Sequence, residues 1–201
     1  MTGESCIYRI DRSNTITEVS RNWVVIAEEN DWSSERDPSD VVGRPIGDFI
    51  EDAQTRQLYE EAYERVRNGT PCGPIPFRCD SPGERRWLEL YLEPLRDGTI
   101  EITSKVVRTE RRAPVQLPAQ LYDGAVGTSD ELLKICSMCK KLAVSGNEWV
   151  EIEDGLAQLR VFERDEMPRL THGVCDSCYR TVMDDLDDTN PSSDGTEDDN
   201  E

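Results

Sequence analysis

The sequence predicts an α+β fold: a five-stranded antiparallel sheet with helices on one side, then a small cysteine-rich module and an acidic tail. Two stretches in which apolar and polar residues alternate precede a long amphipathic helix, and three such stretches follow it. Four of the seven cysteines fall in two C-x2-C pairs in the second half of the chain. The last 18 residues contain nine acidic side chains and no basic one.

The first elements are a hairpin and two helices. Apolar residues alternate with polar ones through 6–10 and 15–20, on either side of a turn at 11–14. The segment 21–30 has a helical apolar face, and short helical turns and loops follow it. The long helix covers 54–68 and carries apolar residues at helical spacing: Leu58, Tyr59, Ala62, Tyr63 and Val66.

Three further strands complete the predicted sheet, over 75–79, 87–93 and 98–107. In the middle strand, three leucines alternate with charged and aromatic residues, which is typical of a sheet with one buried face. Short turns rich in Pro, Gly and Asp join these strands, so neighbours are antiparallel.

Four motifs in residues 1–108 carry a family resemblance: Tyr8-Arg-Ile-Asp11, Val42-Gly-Arg-Pro45, Arg65-Val-Arg-Asn-Gly69, and Phe77-Arg-Cys-Asp-Ser-Pro82 followed by Arg85-Arg86. On these motifs the segment resembles a PAS domain over nearly its whole length. The resemblance implies a sensory or dimerisation domain, and with it a PAS-mediated homodimer. It also implies an interior between sheet and helices that holds a ligand or is filled by side chains.

The sequence restricts the ligand of such an interior. His172 is the only histidine and lies far outside the segment, which argues against a haem bound through imidazole. Cys79 lies on a predicted strand rather than a helix, which argues against a photoactive flavin. Which ligand the domain takes, or whether it takes none, stays open. Arg78, Asp80 and the Arg85–Arg86 pair form either a structural ion pair, the favoured interpretation, or a clamp for a carboxylate ligand.

The cysteine module covers 131–183 and contains two C-x2-C knuckles with 35 residues between them. Each knuckle presents two sulfurs to one point, and four thiolates are the ligand set of a structural Zn²⁺ site. The predicted zinc ligands of this zinc-ribbon-like module are Cys136, Cys139, Cys175 and Cys178. An iron–sulfur cluster and a redox-active thiol pair stay open as alternatives.

Two further features favour the zinc interpretation. The segment has few apolar residues, so it needs a bound metal or a covalent cross-link to fold. Three of the four lysines of the chain surround the first knuckle, where they would offset the negative charge of four thiolates on one zinc ion. The segments 135–141, 149–153 and 171–178 together resemble a small cysteine-rich module attached behind PAS, GAF or receiver domains in bacterial signalling proteins. His172 is expected outside the ligand set, as a hydrogen-bonding or structural residue, with ligation as the alternative.

The remaining segments are predicted to be a linker over 109–130 and a disordered acidic tail over 184–201. The formal charge of −19 argues against nucleic acid and anionic membrane as partners, because both attract basic surfaces. Abundant carboxylates with scarce lysine fit either adaptation to high salt or a GC-rich genome. No apolar stretch is long enough to span a bilayer and no secretory signal is visible, so we expect a cytoplasmic location.

These features predict a non-enzymatic cytoplasmic signalling protein. A PAS sensory or dimerisation domain is coupled in it to a zinc-binding module that contacts a protein partner. No phosphate-binding glycine loop, phosphoacceptor histidine helix or Ser/His/Asp set is present in the sequence. The alternatives are a thiol-disulfide redox protein that uses the C-x2-C pairs, and a transcription regulator.

Overall fold

A computed structural model describes residues 5–29, 36–81, 83–115 and 128–188. Five strands form the first sheet in the order β2-β1-β5-β4-β3, with every neighbouring pair antiparallel. Their bounds are β1 Ser5–Ile10, β2 Ile16–Val19, β3 Cys72–Arg78, β4 Glu84–Pro94 and β5 Ile100–Arg111. The predicted α+β class with a five-stranded antiparallel sheet is therefore confirmed.

Three helices lie between β2 and β3: α1 Trp23–Glu29, α2 Pro38–Val41 and α3 Ala53–Arg67. The longest, α3, begins because the Asp52 side chain accepts a hydrogen bond from the Thr55 backbone N–H at 2.7 Å, which caps its first turn. It ends at Gly69, whose φ of +96° lies in the left-handed region. Between these ends α3 packs its apolar face against β3, β4 and β5.

The interior of this first unit is largely apolar. The largest fully buried side chains come from β1, β3, β4 and β5 and from α2 and α3: Ile10, Ile75, Leu92, Ile100, Ile102, Val41 and Val66. Of the three leucines that alternate along β4, Leu90 and Leu92 are buried and Leu88 is half-buried. The first unit therefore builds most of its core from side chains of its own sheet and helices, and the same cluster extends to residues of the second half of the chain, among them Met138, Val174, Val182 and Leu186.

The second unit is a four-stranded mixed sheet in the order β8-β7-β6-β9, in which β6 and β9 are parallel. Its elements are β6 Thr128–Cys136, β7 Leu142–Ser145, β8 Glu148–Val150, α4 Ile152–Gln158, β9 Met167–Gly173 and α5 Asp176–Asp188. The chain between the two knuckles supplies β7, β8, α4, a short 3-10 turn and β9. None of the helices in the described ranges has the length and apolar character needed to cross a bilayer.

Strands β3 and β4 each begin three residues earlier than predicted, and at three places an element extends into the predicted linker or tail. Strand β5 continues through Arg111 because β4 pairs with it as far as Glu84. Strand β6 begins at Thr128, inside the segment predicted as linker, and helix α5 continues to Asp188, five residues into the predicted tail. The rest of the linker, 116–127, and of the tail, 189–201, lies outside the described residues.

Candidate metal centre

Parallel pairing of two strands brings the knuckles together. Cys136 is the last residue of β6, and the β6–β9 register places it opposite Gly173, the last residue of β9. Cys175 follows two residues later and directly precedes α5. Because parallel strands end at the same edge of a sheet, both knuckles begin at that edge, although 35 residues separate them in sequence.

The first knuckle is a tight turn that leads from β6 into β7. The Lys140 N–H donates to the Cys136 carbonyl at 3.0 Å, and the Cys136 N–H donates to the Lys141 carbonyl at 2.8 Å. Lys140 has a φ of +59°, the left-handed conformation that this reversal needs. The turn places Cys139 beside Cys136.

The second knuckle is the start of α5. The Cys175 carbonyl accepts a bond from the Tyr179 N–H at 2.9 Å, which begins the helix, and Cys178 lies in the first turn. Two backbone N–H groups point at sulfur: Cys175 N to Cys136 Sγ at 3.4 Å, and Cys178 N to Cys175 Sγ at 3.5 Å. Donors of this kind stabilise thiolates.

The four sulfurs form a compact group. The Sγ atoms of Cys136, Cys139, Cys175 and Cys178 all lie within 4.8 Å of one another, and all four cysteines are free. The Cys139 and Cys175 sulfurs are 3.8 Å apart, far beyond the ~2.05 Å of a disulfide. Tetrahedral zinc with Zn–S bonds of ~2.3 Å requires sulfurs ~3.8 Å apart. The group therefore fits one tetrahedral ion.

Because the four sulfurs lie so close together, each thiol changes the pKa values of its neighbours. Hydrogen bonds from Cys139 and Cys178 lower the pKa of the Cys136 thiol strongly. The bond to Cys136 in turn raises the pKa of Cys139 to about 12 and also raises that of Cys178. A divalent ion bound among the four sulfurs would favour the ionised form of every thiol.

Lysine and histidine lie next to this group. Lys140 Nζ donates to the Ser137 carbonyl at 2.9 Å, and Lys134 Nζ lies 5.8 Å from the centre of the Trp149 ring. His172 Nδ1 lies 2.7 Å from Glu51 Oε2, which directs the imidazole towards the first unit. The group of side chains placed to hold a metal ion consists of the four cysteines, and His172 is not among them.

The knuckles contact the first unit directly, which the sequence analysis did not predict. Ser137 Oγ donates to Asp52 Oδ2 at 2.6 Å, beside the N-terminus of α3. Burial raises the pKa of Asp52, but hydrogen bonds from Ser137 and Thr55 outweigh it and the pKa lies below its usual value. No local pattern in either segment carries this information, because the pairing joins residues far apart in sequence.

Arg78 is the centre of a charged network between the units. Its guanidinium is buried and pairs with Asp80 and, at 2.8 Å, with Glu151 of the second unit. The favoured sequence interpretation, a structural ion pair with Asp80, agrees with this geometry. Arg85 contacts Glu153 at 2.9 Å. Arg86, by contrast, donates to the Cys79 carbonyl.

Comparisons with known proteins add little. No protein family matches the chain, and no curated protein matches it. A search of solved structures finds, among others, a domain of an HTR-like protein from Haloarcula marismortui, with 19% sequence identity and a TM-score of 0.36. The match covers 52% of this chain and 98% of that one. At these values the likeness supports neither a fold nor a function.

Proposed function

We propose that the chain is a non-enzymatic cytoplasmic signalling protein, in which a PAS-like sensory or dimerisation domain is coupled to a zinc-binding protein-interaction module. The group of four free thiols whose sulfurs lie within 4.8 Å of one another carries the proposal. Four protein ligands close the coordination of zinc and leave no position for a substrate. Such a site is structural rather than catalytic.

The residues around the site suit this role. Four thiolates on one Zn²⁺ leave a net charge of −2, which Lys134, Lys140 and Lys141 of the same segment would offset. The bound ion would tie the ends of β6 and β9 to the first turn of α5, as the knuckles of a zinc-ribbon-like module do. Sulfurs 3.8 Å apart also favour one ion over a multinuclear iron–sulfur cluster, whose irons separate the ligating cysteines more widely.

The signalling part of the proposal rests on the first unit and on charge. A five-stranded antiparallel sheet with α3 packed across three of its strands supports the PAS-like interpretation. An acidic chain with a formal charge of −19 is poorly suited to nucleic acid or anionic lipid. Both observations agree better with a protein that passes on its signal through contact with another protein, or through a PAS-mediated homodimer, than with one that binds nucleic acid or lipid.

The test is the metal content of the purified full-length chain. We expect one zinc per chain by elemental analysis and native mass spectrometry, and no reactive thiol among the four cysteines until a strong chelator is added. Native spectra of the same sample also report dimers and any ligand kept by the PAS-like domain. Iron in place of zinc would contradict the zinc site, and four titratable thiols in a folded, metal-free second unit would refute metal binding altogether.

A further inference from the structure

Residues within and next to the knuckles contact the first unit. Ser137 Oγ donates to Asp52, as described above. The next residue, Met138, accepts a bond at its carbonyl from the Arg78 N–H at 2.7 Å. Directly before the second knuckle, the Val174 N–H donates to Gln54 Oε1 at 3.2 Å. Three contacts from within or next to the knuckles thus reach β3 and the start of α3.

Two of these contacts use backbone groups of the second unit. A side chain can rotate to keep a partner when the backbone shifts, but the Met138 carbonyl and the Val174 N–H move with the knuckle itself. Both lie next to metal-ligating cysteines. The ion that fixes the sulfurs therefore also fixes the orientation of the groups that contact the first unit.

Apolar packing continues the same interface. Helix α5 packs against β3 and α3, and buried residues of both units belong to one continuous cluster. The second unit contributes Met138, Val174, Val182 and Leu186, and the first unit contributes Cys72 and Ile75 among others. Since α5 begins at the second knuckle, its position on β3 depends on that knuckle.

We propose that the metal ion controls the docking of the second unit on the first, so that the first partner of the cysteine-rich module is the N-terminal domain of its own chain. The inference rests on the proposed zinc site and adds a regulatory role to it. With zinc bound, the knuckles hold the three hydrogen bonds and the position of α5. When zinc is removed, these contacts break and the apolar surface of β3 becomes accessible.

Coupling of this kind is reciprocal. If zinc binding strengthens docking, contacts that stabilise docking must strengthen zinc binding by the same factor. Glu151 can test this coupling without a change to the four cysteines. It accepts a hydrogen bond from the buried Arg78 across the interface and is not one of the proposed zinc ligands. Glu163 provides the matched control, since it pairs with Arg160 inside the second unit.

The first experiment is hydrogen exchange by NMR on the full-length chain, with zinc bound and after chelation. The Arg78 amide reports docking because its acceptor, the Met138 carbonyl, belongs to the second unit. Amides of the central strand β5 report the first sheet alone. We expect zinc removal to accelerate exchange at Arg78 at least tenfold and to leave β5 unchanged. Equal protection of Arg78 with and without zinc would overturn the inference.

The second experiment measures zinc affinity by competition with a chelator. We expect Glu151→Gln to weaken zinc binding about tenfold, the loss of one charge-assisted hydrogen bond, and Glu163→Gln to leave it unchanged. Equal affinities of the two variants would contradict the coupling. Both experiments separate the two proposals, because a chain that binds zinc 1:1 without these effects keeps the metal site and loses only the control of docking.

Discussion

The two units of this protein reach a folded state by different means. The first unit has an extensive apolar core, to which four strands, α2 and α3 contribute fully buried side chains. Among the described residues, the second unit has a separate cluster of six buried apolar residues: Leu133, Ile135, Leu142, Ile152, Leu156 and Val161. Further buried residues of the second unit, among them Met138, Val174, Val182 and Leu186, belong to the cluster of the first unit.

The difference indicates what a metal ion at the four cysteines would contribute to a small sheet. Apolar burial stabilises by roughly 25 cal/mol per Å², and a core of six side chains offsets little of the chain entropy of such a unit. Four thiolates on one ion add a large favourable term that depends on metal rather than on buried area. The second unit is therefore expected to respond to chelators and the first to core mutations.

The largest expected effect comes from a single ligand. Cys136→Ser leaves three sulfurs, and we expect the second unit to unfold, since a structural zinc site supplies on the order of 10 kcal/mol. Zinc content and far-UV circular dichroism of the full chain measure the loss. Cys79→Ser, which changes a half-buried cysteine outside the group, is the control and should retain one zinc. Full zinc content in Cys136→Ser would show that the four-sulfur site is wrong.

A mutation in the apolar core should destabilise the first unit rather than the second. Leu92 is completely buried in the first sheet, so Leu92→Ala should cost about 2–5 kcal/mol in the free energy of unfolding of that unit. Leu95→Ala, at a leucine that is 40% exposed, should cost much less. Denaturant unfolding with and without excess zinc measures both. If excess zinc restored the stability lost in Leu92→Ala, the two units would not differ in the way described.

A smaller effect is expected where the units meet. Asp52→Ala removes both the cap of α3 and the acceptor of Ser137, whereas Asp37→Ala removes the cap of α2 and an exposed bond from the Ser39 hydroxyl, both away from the interface. Loss of either cap costs about 1 kcal/mol. We expect Asp52→Ala to cost about 1 kcal/mol more, for the lost bond to Ser137. Thermal unfolding measures the difference, and it should disappear after chelation if the bond depends on docking.

The smallest effect is expected at His172. The imidazole pairs with Glu51, whose side chain is 78% exposed, and exposed ion pairs contribute at most about 1 kcal/mol. We expect His172→Ala to retain one zinc and to lose less than about 1 kcal/mol in the free energy of unfolding. A variant without zinc would instead make His172 a ligand.

The sequence was sufficient to predict those elements whose pattern of residues repeats over a short stretch of chain. Alternation along β1 and β4 and the helical spacing from Leu58 to Val66 predicted the first sheet and α3, because each pattern repeats within a few residues. The same holds for the C-x2-C pairs, whose spacing alone brings two sulfurs together. These elements lie where the pattern places them.

The parts that escaped prediction depend on contacts between distant residues. Parallel pairing of β6 with β9 is not encoded in either strand, and β6 begins in a segment whose Pro and Gly content indicated a linker. Arg78 and Glu151 are 73 residues apart, so their ion pair has no signature in either neighbourhood. Docking of one unit on the other is visible only once both sheets are in place.

Because β6 and β9 pair in parallel, the positions of the four sulfurs do not depend on the length of the turns between the two cysteine pairs. The candidate metal ligands depend on Cys136 lying opposite Gly173, and the length of the exposed turn between β7 and β8 enters only through loop closure. Each doubling of a flexible loop costs only about 0.6 kcal/mol, so residues inserted at the exposed Gly146–Asn147 turn would leave the four sulfurs in place. That turn is therefore a natural point at which to insert a reporter domain, and relatives of this chain would be better sought by strand register than by a fixed distance between cysteine pairs.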